Sequence, residues 1–166
     1  RQVTYGAQMA IQGLDFRWRK DDGSLDMDAL LREFQKFWRR NSDVWERQSD
    51  YTEAFPHLLL MAFLQRVTNG DGSIDREYAA GRGRMDLRVE FAGRSYIIEI
   101  KLLRDYDTPG AVLEEGLEQV RGYRDKMGAG PPCYLLVFDR RSEGKKLPWD
   151  ERVKWERHGD VTVLGC

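Results

Sequence analysis

The stretch Gly81–Arg104, GRGRMDLRVEFAGRSYIIEIKLLR, decides the fold. Met85, Leu87, Val89 and Phe91 alternate with Asp86, Arg88 and Glu90. After Ala92-Gly93 the alternation resumes, with Tyr96, Ile98, Ile100 and Leu102 set against Ile97, Glu99 and Lys101. Period-two alternation in β-branched and aromatic residues predicts two strands. Ala-Gly between them predicts a hairpin, although Asn-Gly is a stronger turn signal. With Ala92 and Gly93 as a two-residue loop, Asp86 falls directly opposite Glu99. A bulge would shift this register, because alanine is a poor residue at positive φ. The assignment of faces is firmer, since a one-residue slip would carry the whole apolar set into water.

Opposed side chains on one face have Cβ atoms roughly 4.5–5.5 Å apart, and two carboxylates so placed repel. A divalent cation between them removes the repulsion, as does a neighbouring Lys or Arg. Carboxylate oxygens are hard ligands suited to Mg²⁺ or Mn²⁺. Lys101 lies two residues beyond Glu99 and shares its face. An acid pair edged by a lysine can hold a metal, polarise a phosphate and orient a water. The plainer reading of the same alternation is a solvated sheet face with a Glu-Lys pair.

The 166 residues suffice for one domain with a core. With 41% hydrophobic and 33% charged residues, the composition is that of a soluble globular chain. No apolar run approaches the ~18 residues of a membrane-spanning helix, and no signal peptide is evident. The net charge of −1 lacks the footprint of a strongly basic nucleic-acid binder, although a sum hides local patches. Cys133 and Cys166 form no CxxC pair, which argues against zinc and against a disulfide framework. A reducing, cytoplasmic setting without a membrane partner fits this usage. The chain begins at Arg1 rather than Met, so a piece of a longer protein is expected.

Residues 1–20 have no clean period, and Asp21-Asp22-Gly23-Ser24 reads as a turn. Ser24 or Asp26 is placed to cap a helix reaching about Arg40, with Leu30, Leu31, Phe34, Phe37 and Trp38 at helical spacing. Asn41-Ser42-Asp43 breaks it. A second helix starts near Tyr51-Thr52, tolerates Pro56 in its first turn, and stops before Asn69-Gly70. Its predicted apolar face is Phe55, Leu58, Leu59, Ala62, Phe63 and Val67. Glu53 and His57, four apart, share another face. Ile74–Ala80 predicts a strand that leads into the hairpin. Thr108-Pro109 starts a helix reaching about Met127, with Gln119 and Tyr123 on one face and Arg121 and Arg124 nearby. The continuous apolar run at 133–138 predicts a strand buried on both faces. Residues 139–148 read as a solvated basic loop, open to phosphate contact, and two small late strands flank His158-Gly159-Asp160. Hairpin strands, a crossover helix and a buried strand imply a mixed sheet with helices on its faces, an α/β fold.

This order of elements resembles the PD-(D/E)XK nuclease superfamily. Met85-Asp86 stands where that family has Pro-Asp, and Glu99-Ile100-Lys101 stands for (D/E)-x-K. Gln119-Val120-Arg121-Gly122-Tyr123 matches a Gln-x-x-x-Tyr element of some branches, and Glu53 matches the helix acid that often joins the metal site. The phrases TEAFPHLLLMAFLQRVTNGDGSIDREYAAGRGRMDLRVEF and GLEQVRGYRDKMGA look like nuclease-type domains attached behind AAA-type ATPase modules in bacterial proteins. The resemblance covers about residues 50–140. It implies a restriction-endonuclease-like core, αβββαβ, within a domain spanning 23–166, with 1–22 as a connector to an upstream ATPase.

The resemblance also implies chemistry. Asp86 and Glu99 would hold one Mg²⁺ or Mn²⁺, with the main-chain carbonyl of Ile100 available and Glu53 completing the shell. Lys101 would orient or help deprotonate the attacking water. Gln119 and Tyr123 would position the shell or the nucleic acid backbone, and Arg82, Arg84 and Arg88 would contact phosphates. The partner would be nucleic acid, DNA before RNA, and many relatives act as homodimers. The rival expectations are a catalytically silent nuclease fold that binds DNA or regulates an ATPase, and a structural interaction domain with a solvated carboxylate pair.

Overall fold

The computed structural model describes residues 18–47, 54–68, 72–79, 84–128 and 130–166. The expected hairpin is present. Strand β2 (Arg84–Phe91) and strand β3 (Arg94–Leu103) pair antiparallel, with Asp86 opposite Glu99 and Phe91 opposite Arg94. No bulge intervenes. Ala92 adopts φ 50° and Gly93 φ 74°, the two positive values of a type I′ turn, so alanine accepts the strain that the tight loop imposes.

Strand β1 (Gly72–Ala79) adds antiparallel to β2, and strand β4 (Cys133–Asp139) adds parallel to β3. The two late strands are not small additions. Strand β6 (Val161–Gly165) pairs parallel with β4, and strand β5 (Trp155–His158) closes the sheet antiparallel to β6. The single six-stranded sheet runs β1-β2-β3-β4-β6-β5. The signal for these strands is weak because each is short, and Val161, Val163 and Leu164 owe their burial to β4, a partner far away in sequence.

Helix α1 (Met27–Arg40) is capped by Asp26, whose carboxylate accepts from the Ala29 N–H at 3.0 Å; the cap is Asp26 rather than Ser24. Its stripe of Leu30, Leu31, Phe34 and Trp38 is buried, and Phe37 is half-buried. The break expected at Asn41-Ser42-Asp43 is present, with Asn41 as the C-cap of α1, and a short helix α2 (Ser42–Arg47) follows it. Helix α3 (Phe55–Thr68) carries Pro56 in its first turn. The predicted start at Tyr51-Thr52 lies outside the described residues. Its buried face differs from the expected one. Leu59, Leu60, Phe63 and Leu64 are inside, while Leu58 is half exposed. This helix is apolar nearly all round, so spacing alone could not choose the face.

Helices α1 and α3 cover one side of the sheet and build the larger core with Leu87, Val89, Ile98, Ile100, Leu136 and Phe138. Phe34 meets Phe63 edge-on at 5.4 Å, and Trp38 meets Phe138 at 4.7 Å. Gln35 crosses to the late strands, donating from Nε2 to the Gly165 carbonyl at 2.8 Å. Helix α4 (Pro109–Lys126) covers the other side. It builds a second core from Leu117 and Val120 against Ile97, Leu135 and Val163. Thr108 precedes Pro109 as expected, but its hydroxyl makes no capping bond. The four-residue helix α5 (Trp149–Arg152) precedes β5. Elements α3 to β4 form the αβββαβ core, a mixed sheet flanked by helices, which is the restriction-endonuclease-like fold.

Candidate active site

The site begins as a fork in the sheet. The ladder between β2 and β3 ends at Asp86–Glu99. Beyond it β2 still pairs with β1, through Tyr78–Met85 and Ala79–Arg84, and β3 still pairs with β4, through Lys101–Val137 and Leu103–Asp139. The two strands therefore part company directly after the opposed acids.

Hydrogen-bond alternation fixes which groups face the fork. The i to i+3 bond of a two-residue loop makes its flanking pair, here Phe91–Arg94, a hydrogen-bonded pair. Alternating from there, Asp86–Glu99 is a non-hydrogen-bonded pair, the class with Cα atoms about 4.5 Å apart and the closer side chains. On the other edge of β3, the Ile97 N–H donates to Pro132 at 3.0 Å, and the Leu103 carbonyl accepts from Arg140 at 2.8 Å. Odd-numbered residues of β3 therefore point their backbone groups toward β4. Ile100 points its carbonyl toward β2, into the fork.

Glu99 is fully buried, and neither carboxylate oxygen has a hydrogen-bond partner among the described residues. Such a group is expensive unless something compensates its charge. Lys101 Nζ lies 3.9 Å from Glu99 Oε1, on a side chain 13% exposed. The solvated-face reading does not survive, because α4 lies over this face. Gly116 allows that approach. A Cβ there would sit 2.7 Å from Leu135 Cδ1 and 3.3 Å from Lys101 Cγ.

Close packing of α4 brings in a residue that the sequence reading missed. Glu115 Oε1 lies 3.3 Å from Lys101 Nζ and accepts from Gln119 Nε2 at 2.8 Å. Glu115 thus couples Lys101 to the Gln-x-x-x-Tyr helix. Its one sequence signal is a position four residues before Gln119 on the same helical face. The Gln119 side-chain carbonyl is buried and has no hydrogen-bond partner among the described residues. The ring of Tyr123 packs against the second core. Arg121 and Arg124 instead anchor α4 to the β5–β6 turn, both pairing with Asp160.

Not every expected residue can be followed. Asp86 is placed by backbone register, as is Arg84 at the start of β2. Glu53 and Arg82 lie outside the described residues. Arg88 is half-buried and pairs with Glu90 on its own strand. His57 is buried on α3. Among the described residues, no three His, Cys, Asp or Glu side chains cluster as a complete metal shell.

Residues 51–129 match the family model of the PD-(D/E)XK nuclease superfamily. No curated protein and no solved structure matches the chain. The span matched to the PD-(D/E)XK superfamily runs from before α3 to just beyond α4. It contains Glu53, Asp86, Glu99, Lys101, Glu115, Gln119 and Tyr123.

The donors fit the divalent cation that nucleases of the PD-(D/E)XK superfamily generally use. A buried carboxylate with neither oxygen hydrogen-bonded among the described residues, a second carboxylate opposite it and a carbonyl facing the same fork make an all-oxygen set. Such a set suits a hard ion rather than a soft one.

Proposed function

We propose that this chain is a Mg²⁺- or Mn²⁺-dependent nuclease that hydrolyses phosphodiester bonds of nucleic acid, DNA before RNA. The observation that carries the proposal is Glu99, a fully buried carboxylate without a hydrogen-bond partner among the described residues, opposite Asp86 where the sheet forks. The match to a nuclease superfamily supports the same reading.

Asp86, Glu99 and the Ile100 carbonyl would hold the cation, with Glu53 completing the shell. When bound, the cation supplies Lewis acidity to a phosphoryl oxygen. The chain's own residues do the rest. The Lys101 ammonium, 3.9 Å from Glu99, would orient the attacking water and offset charge developing on the phosphate. Glu115 holds that ammonium from the helix side, and Gln119 holds Glu115. Burial strengthens the Lys101–Glu99 contact, because little water screens it, whereas Glu115 is half exposed. Tyr123 steadies the helix by packing beneath it. Arg82 and Arg84 flank the acids in sequence and would meet phosphates, contacts that position a backbone without reading bases.

The nuclease would form the C-terminal part of a larger bacterial ATPase protein in the cytoplasm. This reading rests on the resemblance of the sequence phrases around Thr52–Phe91 and Gly116–Ala129. Among the described residues, no helix is long and apolar enough to cross a membrane.

The test is cleavage. Supercoiled plasmid, linear duplex and single-stranded DNA are incubated with the chain and Mn²⁺ or Mg²⁺, beside EDTA and Lys101→Ala controls. Cleavage that both controls abolish is the expected result. Nucleic acid bound but never cut under any of these conditions would replace the enzyme with a silent binding module.

A further inference from the structure

The open end of the fork carries two loops that the hydrolytic chemistry does not use. Strands β3 and β4 run parallel toward it, with Leu103 beside Asp139. The first loop, Arg104–Asp107, begins three residues after Lys101. It closes on itself: the Asp107 N–H donates to the Arg104 carbonyl at 3.0 Å, and the Arg104 N–H donates to Asp107 Oδ2 at 2.8 Å. Tyr106 stands on this turn 79% exposed, with the Arg104 guanidinium 5.8 Å from its ring centroid.

The second loop follows β4 and is built equally tightly. Ser142 donates from its N–H (2.6 Å) and its hydroxyl (3.0 Å) to the Asp105 carboxylate, which ties the two loops together. Asp139 accepts from the Arg141 guanidinium at 2.9 and 2.8 Å. The Gly144 backbone lies against that carboxylate so closely that a Cβ would fall 2.5 Å from its Cγ. Three carboxylates, Asp105, Asp107 and Asp139, are thus turned to holding the loops in shape. Glu143, Lys145 and Lys146 remain on the outside. The Ser142 bonds, with Lys145 and Arg141 nearby, hold the Asp105 carboxyl below its ordinary range.

A lone exposed aromatic needs no explanation. Tyr106 differs because a closed turn presents it, and because cations stand on the loop bonded to that turn. Aromatic faces for stacking and cations for the backbone are the two components of single-strand recognition. We propose that Tyr106 is a stacking platform for an unpaired base, with Lys145 and Lys146 contacting the phosphates of the same strand. Single-stranded nucleic acid, including opened strand ends, is then the substrate class delivered to the fork. Delivery to Lys101 rests on the nuclease reading; the binding itself does not.

Binding is therefore measured apart from cleavage, on Lys101→Ala protein in EDTA. Fluorescence anisotropy compares a short labelled oligothymidylate with a blunt duplex of similar length. Tyr106→Ala should weaken single-strand binding by about 5- to 100-fold and leave duplex binding unchanged, while Tyr106→Phe retains both. The double change Lys145→Ala, Lys146→Ala should lower the salt slope by about 0.7 for each phosphate that a lysine no longer neutralises. All variants should melt at the parent temperature, because the changed residues are exposed. Equal effects of Tyr106→Ala on both probes, no effect on either, or no binding of either probe by the parent overturns the inference. The nuclease reading fails separately, if the unmodified chain cuts nothing with either cation.

Discussion

Glu99 sets the terms at the scale of single residues. A buried carboxylate without hydrogen bonds among the described residues lowers stability, and a lysine at 3.9 Å offsets only part of that. Real proteins keep such groups where function requires them. Glu115 is the more informative residue to change, because it is half exposed and touches Lys101 and Gln119 rather than the core. Glu115→Gln should lower kcat about 10- to 100-fold with little change in KM or melting temperature. Steady-state kinetics on the two proteins check this, and an unchanged kcat would separate Glu115 from Lys101. Asp86, Glu99 and Lys101 are legible in the sequence because alternation puts three charged side chains on one face of the hairpin. Glu115 is not legible. Its role depends on how close α4 sits to β3, and Gly116 sets that distance against Leu135 of β4 and Lys101 of β3, both distant in sequence from it.

The hairpin is the element whose sequence is least suited to its shape. Ala92 sits at φ 50° in a turn that favours Asn-Gly. A left-handed alanine costs roughly 1–2 kcal/mol. Ala92→Asn should therefore stabilise the protein by about 1 kcal/mol, raising the melting temperature roughly 2–4 °C. Thermal melts of the two proteins decide it, and a lower temperature for the variant would contradict the turn assignment. Strand register is readable despite the poor turn residue, because a slip would expose Leu87, Val89 and Ile98, all fully buried. The buried face of α3 is not readable. A helix apolar on every side gives no periodic signal, and Leu58, expected in the core, is half exposed. The late strands are recognisable as strands but not as members of the sheet, since membership is decided by the β4 edge they find.

For the whole molecule, burial couples stability to pH. Desolvation raises the thiols of Cys133 and Cys166 and the phenols of Tyr96 and Tyr134 above their ordinary values of 9.0 and 10.0. Asp28, which accepts from the Tyr134 hydroxyl at 2.5 Å, adds to the shift of that phenol. Above about pH 9 the unfolded chain releases these protons while the native state keeps them. The unfolded state then binds fewer protons, so stability falls as pH rises. Urea midpoints should drop between pH 8 and pH 10, and an unchanged midpoint would mean that these groups titrate normally in the fold. The central claim, that the fork is a divalent-cation site, concerns the whole molecule in the same way, because an ion that binds only the native state stabilises it. The most direct measurement is thermal unfolding with and without Mn²⁺, for the unchanged chain and for Glu99→Gln. At a Mn²⁺ concentration near a hundred times Kd, the unchanged chain should gain about 2.7 kcal/mol, roughly 5–10 °C. Glu99→Gln should melt higher than the unchanged chain without the ion, having lost a buried charge, and should not respond to Mn²⁺. An unchanged chain indifferent to Mn²⁺, together with a Glu99→Gln protein that melts lower, would mean that Glu99 is a structural residue and that the fork holds no cation.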